Sequence, residues 1–174
     1  MILWLNGPFG GGKTTTSIQL QRILSGSRVF DPEMVGYMLT AALPDLTVDD
    51  FQTWPSWRPL VAAALDEVSR QTGQHLVAPQ SLLNVEYFRE IFAALHSRGL
   101  QTFHVVLDAP DDVLRSRIEA SDEAQPWRLR QLPAYIESRS WMFDEADLVV
   151  DTGTNSPLAV AQLVIDALPG GARS

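Results

Sequence analysis

The 174-residue sequence contains no cysteine, a single lysine and no long apolar run. Each absence removes a class of protein. Without cysteine there is neither a disulfide framework nor a thiolate zinc site. No stretch approaches the ~18 to 20 apolar residues of a membrane span. The N-terminal run "MILWLN" is too short for a secretory signal core and passes straight into glycines. Positive charge is scarce as well: 13 Lys+Arg face 21 Asp+Glu, leaving a net charge of −8. A phosphate backbone demands a basic footprint, so nucleic acid is not an expected partner, and an anionic membrane surface is disfavoured for the same reason. The expectation is a soluble cytoplasmic protein. At 45% hydrophobic residues, a single domain over 1–174 has enough apolar material for a core.

What the sequence does contain is alternation. "ILWLN" precedes "KTTTSIQLQRIL", and "SRVFD" precedes "PEMVGYMLTAAL". "QHLVAPQS" leads to "NVEYFREIFAALHSRG", "TFHVVLDA" to "PDDVLRSRIEAS", and "ADLVVDT" to "SPLAVAQLVIDAL". Pro32, Pro110 and Pro157 stand at or near helix starts, where a missing N–H costs nothing. Five β-then-α units predict an α/β fold: a three-layer α/β/α arrangement around a five-stranded parallel sheet. Ligands on such a sheet bind beyond the carboxyl ends of the strands. Two segments exceed a simple crossover, at about 44–73 and about 119–141. Long insertions in compact α/β domains more often serve function than idle, and these read as an acceptor-binding insertion and an arginine-bearing lid.

The single lysine sits in "GPFGGGKTTT", where Gly7, Gly12, Lys13 and Thr14 match the P-loop spacing behind a strand and ahead of a helix. Glycines at 7, 10, 11 and 12 let successive N–H groups turn inward as an anion nest, and the following helix adds its positive end. Lys13 reaches the β- and γ-phosphates of ATP, while the Thr14 hydroxyl is a ligand for Mg²⁺. A compact, swivelling ammonium suits such a cradle better than a planar guanidinium, which explains a lone lysine among arginines. Thr15 is a further contact for a phosphate, although helix packing accounts for it equally well.

Asp31, in "VFDPEM", reads both as a helix N-cap and as a carboxylate at the sheet's carboxyl edge. In the second role it would lie near Mg²⁺ or take the proton of an acceptor hydroxyl. Glu33 is a weaker candidate for the same place. The third strand ends in Pro79 and Gln80, where many P-loop ATPases carry an acid for magnesium. That speaks against a motor-type ATPase or GTPase, and leaves Gln80 to hydrogen-bond a ligand's base or sugar, or simply backbone. "DDFQTWPSWR" holds Phe51, Trp54, Trp57 and Arg58. It reads as a small aromatic core under a loop, or as a wall for stacking a flat ring with Arg58 gripping a phosphate or sugar hydroxyl. Arg115, Arg117, Arg128, Arg130 and Arg139 flank the second insertion, as expected of a lid that neutralises transferring charge, with Arg128 and Arg130 as its catalytic arginines. The three histidines show no metal spacing.

The order of P-loop, strand-end Asp, aromatic segment, "DAPDDVLRSRI", arginine lid and "VVDT" resembles the nucleoside- and shikimate-kinase group of P-loop proteins. That resemblance implies that Arg117 stacks on adenine, with Asp151 and Thr152 bordering the adenine or ribose. More narrowly, "WLNGPFGGGKTTT", "FDPEMVGYML", "DDFQTWPSWR" and "EYFREI" resemble the tunicamycin-resistance family of ATP-binding proteins, from residue 2 to about 150. The implied function is ATP binding and resistance to a uridine-containing, lipid-tailed antibiotic. Gly12, Lys13 and Thr14 would bind ATP and Mg²⁺, while Asp31, Trp57 and Arg58 face the acceptor. The reading that follows is ATP-dependent phosphorylation of a nucleoside-like hydroxyl, with tunicamycin as a candidate acceptor. Two alternatives stand beside it: ATP-dependent sequestration of the antibiotic without chemistry, and a kinase for another metabolite.

Overall fold

The computed structural model describes residues 1–121 and 125–170. Its central strand, β1 (Ile2–Asn6), is buried along its whole length. A strand with no polar face can only lie inside a sheet covered on both sides. Here β1 pairs in parallel with β3 (His75–Pro79) on one side and β4 (Thr102–Asp108) on the other, Leu3 lying opposite both Val77 and Phe103. β2 (Ser27–Val29) adds beyond β3 and β5 (Leu148–Asp151) beyond β4, giving five parallel strands in the order β2-β3-β1-β4-β5.

Side-chain alternation along β1 divides the core. Leu3 and Leu5 face α1 (Lys13–Ile23) and α7 (Pro157–Ala167), packing with Leu20, Val160 and Val164. Ile2 and Trp4 face the other way, toward α2 (Glu33–Ala42), α3 (Trp57–Thr72) and α4 (Val85–Ser97), where Leu39, Leu65 and Ile91 complete the layer. A third cluster joins α5 (Asp111–Glu119) and α6 (Gln125–Asp144) through Leu114, Leu132, Tyr135 and Met142 around Val106. Each fully buried Leu or Ile contributes about 1.5–3 kcal/mol, so this double-sided packing is the main force that holds the sheet between its helices. The expected three-layer fold and its five parallel strands are therefore as the alternation predicted.

The insertions have their own structure. Residues 44–73 form a one-turn 3-10 helix, Phe51–Thr53, followed by the 16-residue α3. Within the predicted lid, residues 122–124 lie outside the described residues; Glu119 ends α5, Ala120 and Ser121 follow it, and the rest belongs to the 20-residue α6, which carries Pro133 internally. Pro157 occupies the first turn of α7 as expected, while Pro32 and Pro110 stand one position earlier, at the N-caps. No helix of the described residues is long and apolar enough to cross a membrane.

Candidate functional site: a phosphate loop and an adjoining cavity

The chain turns sharply where β1 ends. Gly7 has φ 134°, and a Cβ there would stand 2.3 Å from the Leu107 carbonyl oxygen of β4, so no other residue fits. Asn6 fixes the exit: its Oδ1 accepts from the N–H groups of Gly7 and Leu82, each at 2.9 Å. Gly12, at φ 84°, hands the loop to α1, and no side chain caps that helix. An uncapped N-terminus beneath a glycine loop leaves its polar first turn directed at whatever enters. The space above is a cavity of about 670 Å³. Its walls include Gly10, Gly12, Lys13, Thr14 and Thr15, together with Asp31, Glu33, Gln80, Arg117, Arg128 and Thr152. Gly7 and Gly11 are buried in the loop's frame and do not line it.

Lys13 is folded onto its own loop. Its Nζ donates to the carbonyls of Gly7 (3.0 Å) and Pro8 (2.8 Å) and lies 5.4 Å from the Phe9 ring centre. Loss of water lowers its pKa to about 7; Glu33 opposes that shift and Arg128 adds to it. The loop thus holds an amine that an incoming polyanion would recharge. Across the cavity, Asp31 is exposed and its Oδ1 accepts from the Glu33 N–H at 2.9 Å, one position before the Pro32 N-cap rather than at it, and it lines the cavity. Glu33 is half-buried, and burial first and Asp31 second push its carboxyl up, against a hydrogen bond from Tyr37 and the charges of Lys13 and Arg128.

Arg117 is held by three hydrogen bonds, to the Gly10 carbonyl (3.2 Å) and to the hydroxyl (3.1 Å) and carbonyl (2.7 Å) of Thr152. Thr152 is itself tied to the Asp108 carbonyl. Phosphate loop, α5 and the end of β5 are thereby locked together at the cavity's rim. Asp151 departs from its expected place: its carboxylate accepts from Gly153 N–H (2.7 Å) and the Thr154 hydroxyl (3.1 Å), folding its own loop, and Asn155 rather than Asp151 lines the cavity.

The lid arginines divide. Arg128 lines the cavity with its guanidinium 5.4 Å from the Phe9 ring centre. Arg130, two residues on along α6, is exposed and lines none of the cavities, because a two-residue step turns a side chain away from its neighbour on a helix. Arg139 serves the frame, donating to Asp111 at 2.6 Å and pairing with Asp108 at 3.4 Å.

The expected stacking wall is core instead. Trp57 is fully buried and its Nε1 donates to the Pro32 carbonyl at 3.3 Å, and Trp54 is buried beside it. Arg58 is buried too, pairing with Glu90, donating to the carbonyls of Gln52 (2.7 Å) and Trp54 (3.3 Å), and lying 4.2 Å from the Tyr87 ring centre. None of the three lines the cavity above the phosphate loop. Of the two readings of "DDFQTWPSWR", the small aromatic core is the one its burial matches. A second cavity of about 550 Å³ adjoins the first and shares Phe9 and Ser81 with it. Its rings are Phe9, Tyr87, Trp127 and Trp141, and its carboxylates Asp50, Glu86 and Glu137; among the described residues no lysine or arginine lines it. The signal for Phe9 was its place in an otherwise glycine-filled loop, "GPFGGG".

Comparison with known proteins agrees with this geometry. The family model described as "AAA domain" matches residues 2–136. The solved structure of the tunicamycin resistance protein of Deinococcus radiodurans is 31% identical, covering 95% of this chain and 93% of its own, with a TM-score of 0.77. The chain belongs to the AAA-domain family and, within it, to the tunicamycin-resistance proteins. Members of the wider fold include small-molecule kinases. The shikimate kinase of Parasynechococcus marenigrum is 26% identical over 172 residues, or 96% of this chain and 85% of that enzyme. The shikimate kinase of Acinetobacter baumannii, solved with shikimate, shares the fold at a TM-score of 0.61 and 19% identity, over 95% of this chain and 90% of its own. This tunicamycin-resistance relative thus has a P-loop kinase-like fold with a nucleotide-binding loop at the carboxyl edge of its sheet.

Proposed function

We propose that the chain transfers the γ-phosphoryl group of ATP to a hydroxyl of a nucleoside-like small molecule that is uncharged or positively charged. The carrying observation is the pair of adjoining cavities: a phosphate loop opens on one, and the other meets it at Phe9 and Ser81. A donor in the first would present its terminal phosphate toward an acceptor in the second. The kinship with the Deinococcus protein makes tunicamycin the first candidate acceptor.

In this reading the acceptor oxygen forms a bond to the γ-phosphorus while the bond to the β,γ-bridging oxygen breaks, and ADP leaves. Asp31, on the wall of the first cavity, takes the proton of an acceptor hydroxyl that reaches across the junction at Phe9 and Ser81 to the γ-phosphate. Lys13 and Arg128 face the charge that develops on the transferring group, and positioning with charge neutralisation does most of the work. Arg117 borders the nucleotide end beside Thr152. The Thr14 hydroxyl and Asp31 carboxylate are the hard oxygen donors that Mg²⁺ accepts, and bound with ATP that ion would neutralise its β- and γ-oxygens. Trp54, Trp57, Arg58 and Arg130 have no part in the transfer.

The second cavity supports the acceptor class. The Phe9, Trp127 and Trp141 rings favour flat or cationic groups, and Asp50 and Glu137, with Glu86 paired to Arg89 at 3.4 Å, leave the cavity with more acidic than basic charge in its lining. Acceptor-stimulated ADP release tests this with ATP, Mg²⁺ and two panels. Uridine-type nucleosides and amino sugars form one panel; shikimate and nucleoside monophosphates form the other. Stimulation confined to the first panel is expected. Stimulation by the anionic panel alone would contradict the assignment.

A further inference from the structure

One face of α6 runs along the second cavity. Trp127, Gln131, Ala134, Ser138 and Trp141 all line it, and alternating steps of four and three residues keep side chains on one side of a helix. At 1.5 Å per residue, the two tryptophans stand about 21 Å apart along the axis, nearly four turns. The space between them is walled on this side by the small side chains of Ala134 and Ser138.

The two ends have different neighbours. At the near end Trp127 meets Phe9 of the phosphate loop, and Ser81 holds the Gly7 carbonyl through its hydroxyl at 2.8 Å. At the far end Trp141 packs on Phe88 of α4, with ring centres 5.4 Å apart, and Arg89 reaches Glu145 just beyond α6 at 3.4 Å. The near end therefore adjoins the phosphate cavity, and the far end lies well beyond the length of a single nucleoside.

The chemistry of the far end selects what fills it. The Ser138 hydroxyl is spent on the Tyr135 carbonyl at 2.9 Å, and the Asn84 side-chain oxygen on the first N–H groups of α4. Trp141 is half-buried and offers a ring face, while Glu137 is exposed and its carboxylate can only accept. A ligand there must bring hydrogen-bond donors and an apolar face together. A sugar ring has both, in its hydroxyls and its C–H face. An acyl chain has no donor and would strip water from the carboxylate without replacing it.

We infer that the second cavity is an acceptor groove with two subsites, and that its acceptor is glycosylated. The ring with the reacting hydroxyl lies at Phe9 and Trp127, and a glycosyl unit lies at Trp141 and Glu137. The inference rests on the assignment of this cavity to the acceptor. It goes further in making Trp141 a specificity residue that never meets the reacting atoms.

The test is calorimetric titration of the full chain, saturated with a non-hydrolysable ATP analogue and Mg²⁺, with uridine and with the 5′-O-glucoside of uridine. Wild type should bind the glucoside on the order of tenfold more tightly than uridine. Trp141→Ala should bring the glucoside down to the affinity of uridine and leave uridine within about twofold. Ala134→Phe, at an exposed position of α6, blocks the passage between the subsites and should have the same effect. That second variant decides the matter should Trp141→Ala, which also loses its Phe88 contact, not fold. A glucoside no tighter than uridine in wild type would overturn the inference, as would an advantage that survives in either folded variant. An equal loss of both probes in Trp141→Ala would also overturn it, by making Trp141 structural. The analogue transfers nothing, so a failure of phosphoryl transfer leaves this result intact and is read separately from ADP release.

Discussion

Trp127, in the first turn of α6, meets Phe9 of the phosphate loop edge-on, with ring centres 5.1 Å apart and planes at 70°. Phe9 lies between the ring of the lid helix and two cations, Lys13 and Arg128, each 5.4 Å from its centre. Anything that moves Lys13 from the loop carbonyls to a phosphate therefore disturbs Phe9, and with it the lid.

Tryptophan fluorescence follows from that contact. Nucleotide titration should change the emission of the wild-type chain, which has five tryptophans. Trp127→Phe should abolish most of the change while leaving affinity within about threefold, since an aromatic edge contact contributes only about 0.5–1.5 kcal/mol. An undiminished signal in the variant would detach the lid helix from the loop.

Lys13 gives nucleotide binding a pH signature. With its amine lowered to about 7, the free chain is mostly neutral there at pH 8 and charged at pH 6. Bound phosphates restore the ammonium, so binding at pH 8 should take up close to one proton and binding at pH 6 almost none. Calorimetry in buffers of different ionisation enthalpy measures the number directly. Proton release at pH 8, or uptake that grows toward pH 6, would contradict the assignment.

Arg58 is predicted to matter for folding alone. Arg58→Ala leaves the Gln52 and Trp54 carbonyls without their donor and strips a cation from the Tyr87 face, a loss of about 2–3 kcal/mol. Denaturant unfolding should record that loss while the nucleotide Kd stays within twofold. Gly36→Ala makes the same point about this insertion, because its Cβ would lie 2.5 Å from the Phe51 ring. Destabilisation of about 1–3 kcal/mol is expected there.

His104 sets an acid limit on stability. It is buried between Phe88 and Phe92, its Nδ1–H donates to the Glu145 carbonyl at 2.9 Å, and desolvation holds its pKa below the ordinary 6.5. The folded pKa lies below the unfolded one, so the contribution is complete above about 6.5 and declines as pH falls through the folded value. Melting temperatures from pH 7 to 5 should fall more steeply for wild type than for His104→Phe.

Much of this was legible because it is local chemistry. The phosphate loop announces itself by glycines at fixed offsets before a lysine, and the strands by apolar runs that a two-sided sheet must bury. Asp31 was legible as a carboxylate at the helix start and on the cavity wall, although Pro32, one residue on, is the N-cap. Trp54, Trp57 and Arg58 were not, since an aromatic cluster in an insertion has the same composition whether it turns inward or lines a wall. The Pro32 carbonyl beneath Trp57 and the Glu90 carboxylate beside Arg58 decide it, and both come from distant sequence. Arg128 and Arg130 were indistinguishable as a pair in "WRLR"; only the rotation of α6 separates them. Asp151 turned to its own loop, where the Gly153 N–H and the Thr154 hydroxyl donate to its carboxylate.

The central claim is transfer itself, and the mass spectrum of tunicamycin after incubation with the chain, ATP and Mg²⁺ tests it most directly. The account predicts antibiotic heavier by one phosphoryl group, with an equivalent of ADP, and an Asp31→Asn variant that loses product far more than it loses nucleotide affinity. Unmodified tunicamycin held by a chain with nucleotide bound would contradict it, and would make this a sequestering protein rather than a kinase for the drug.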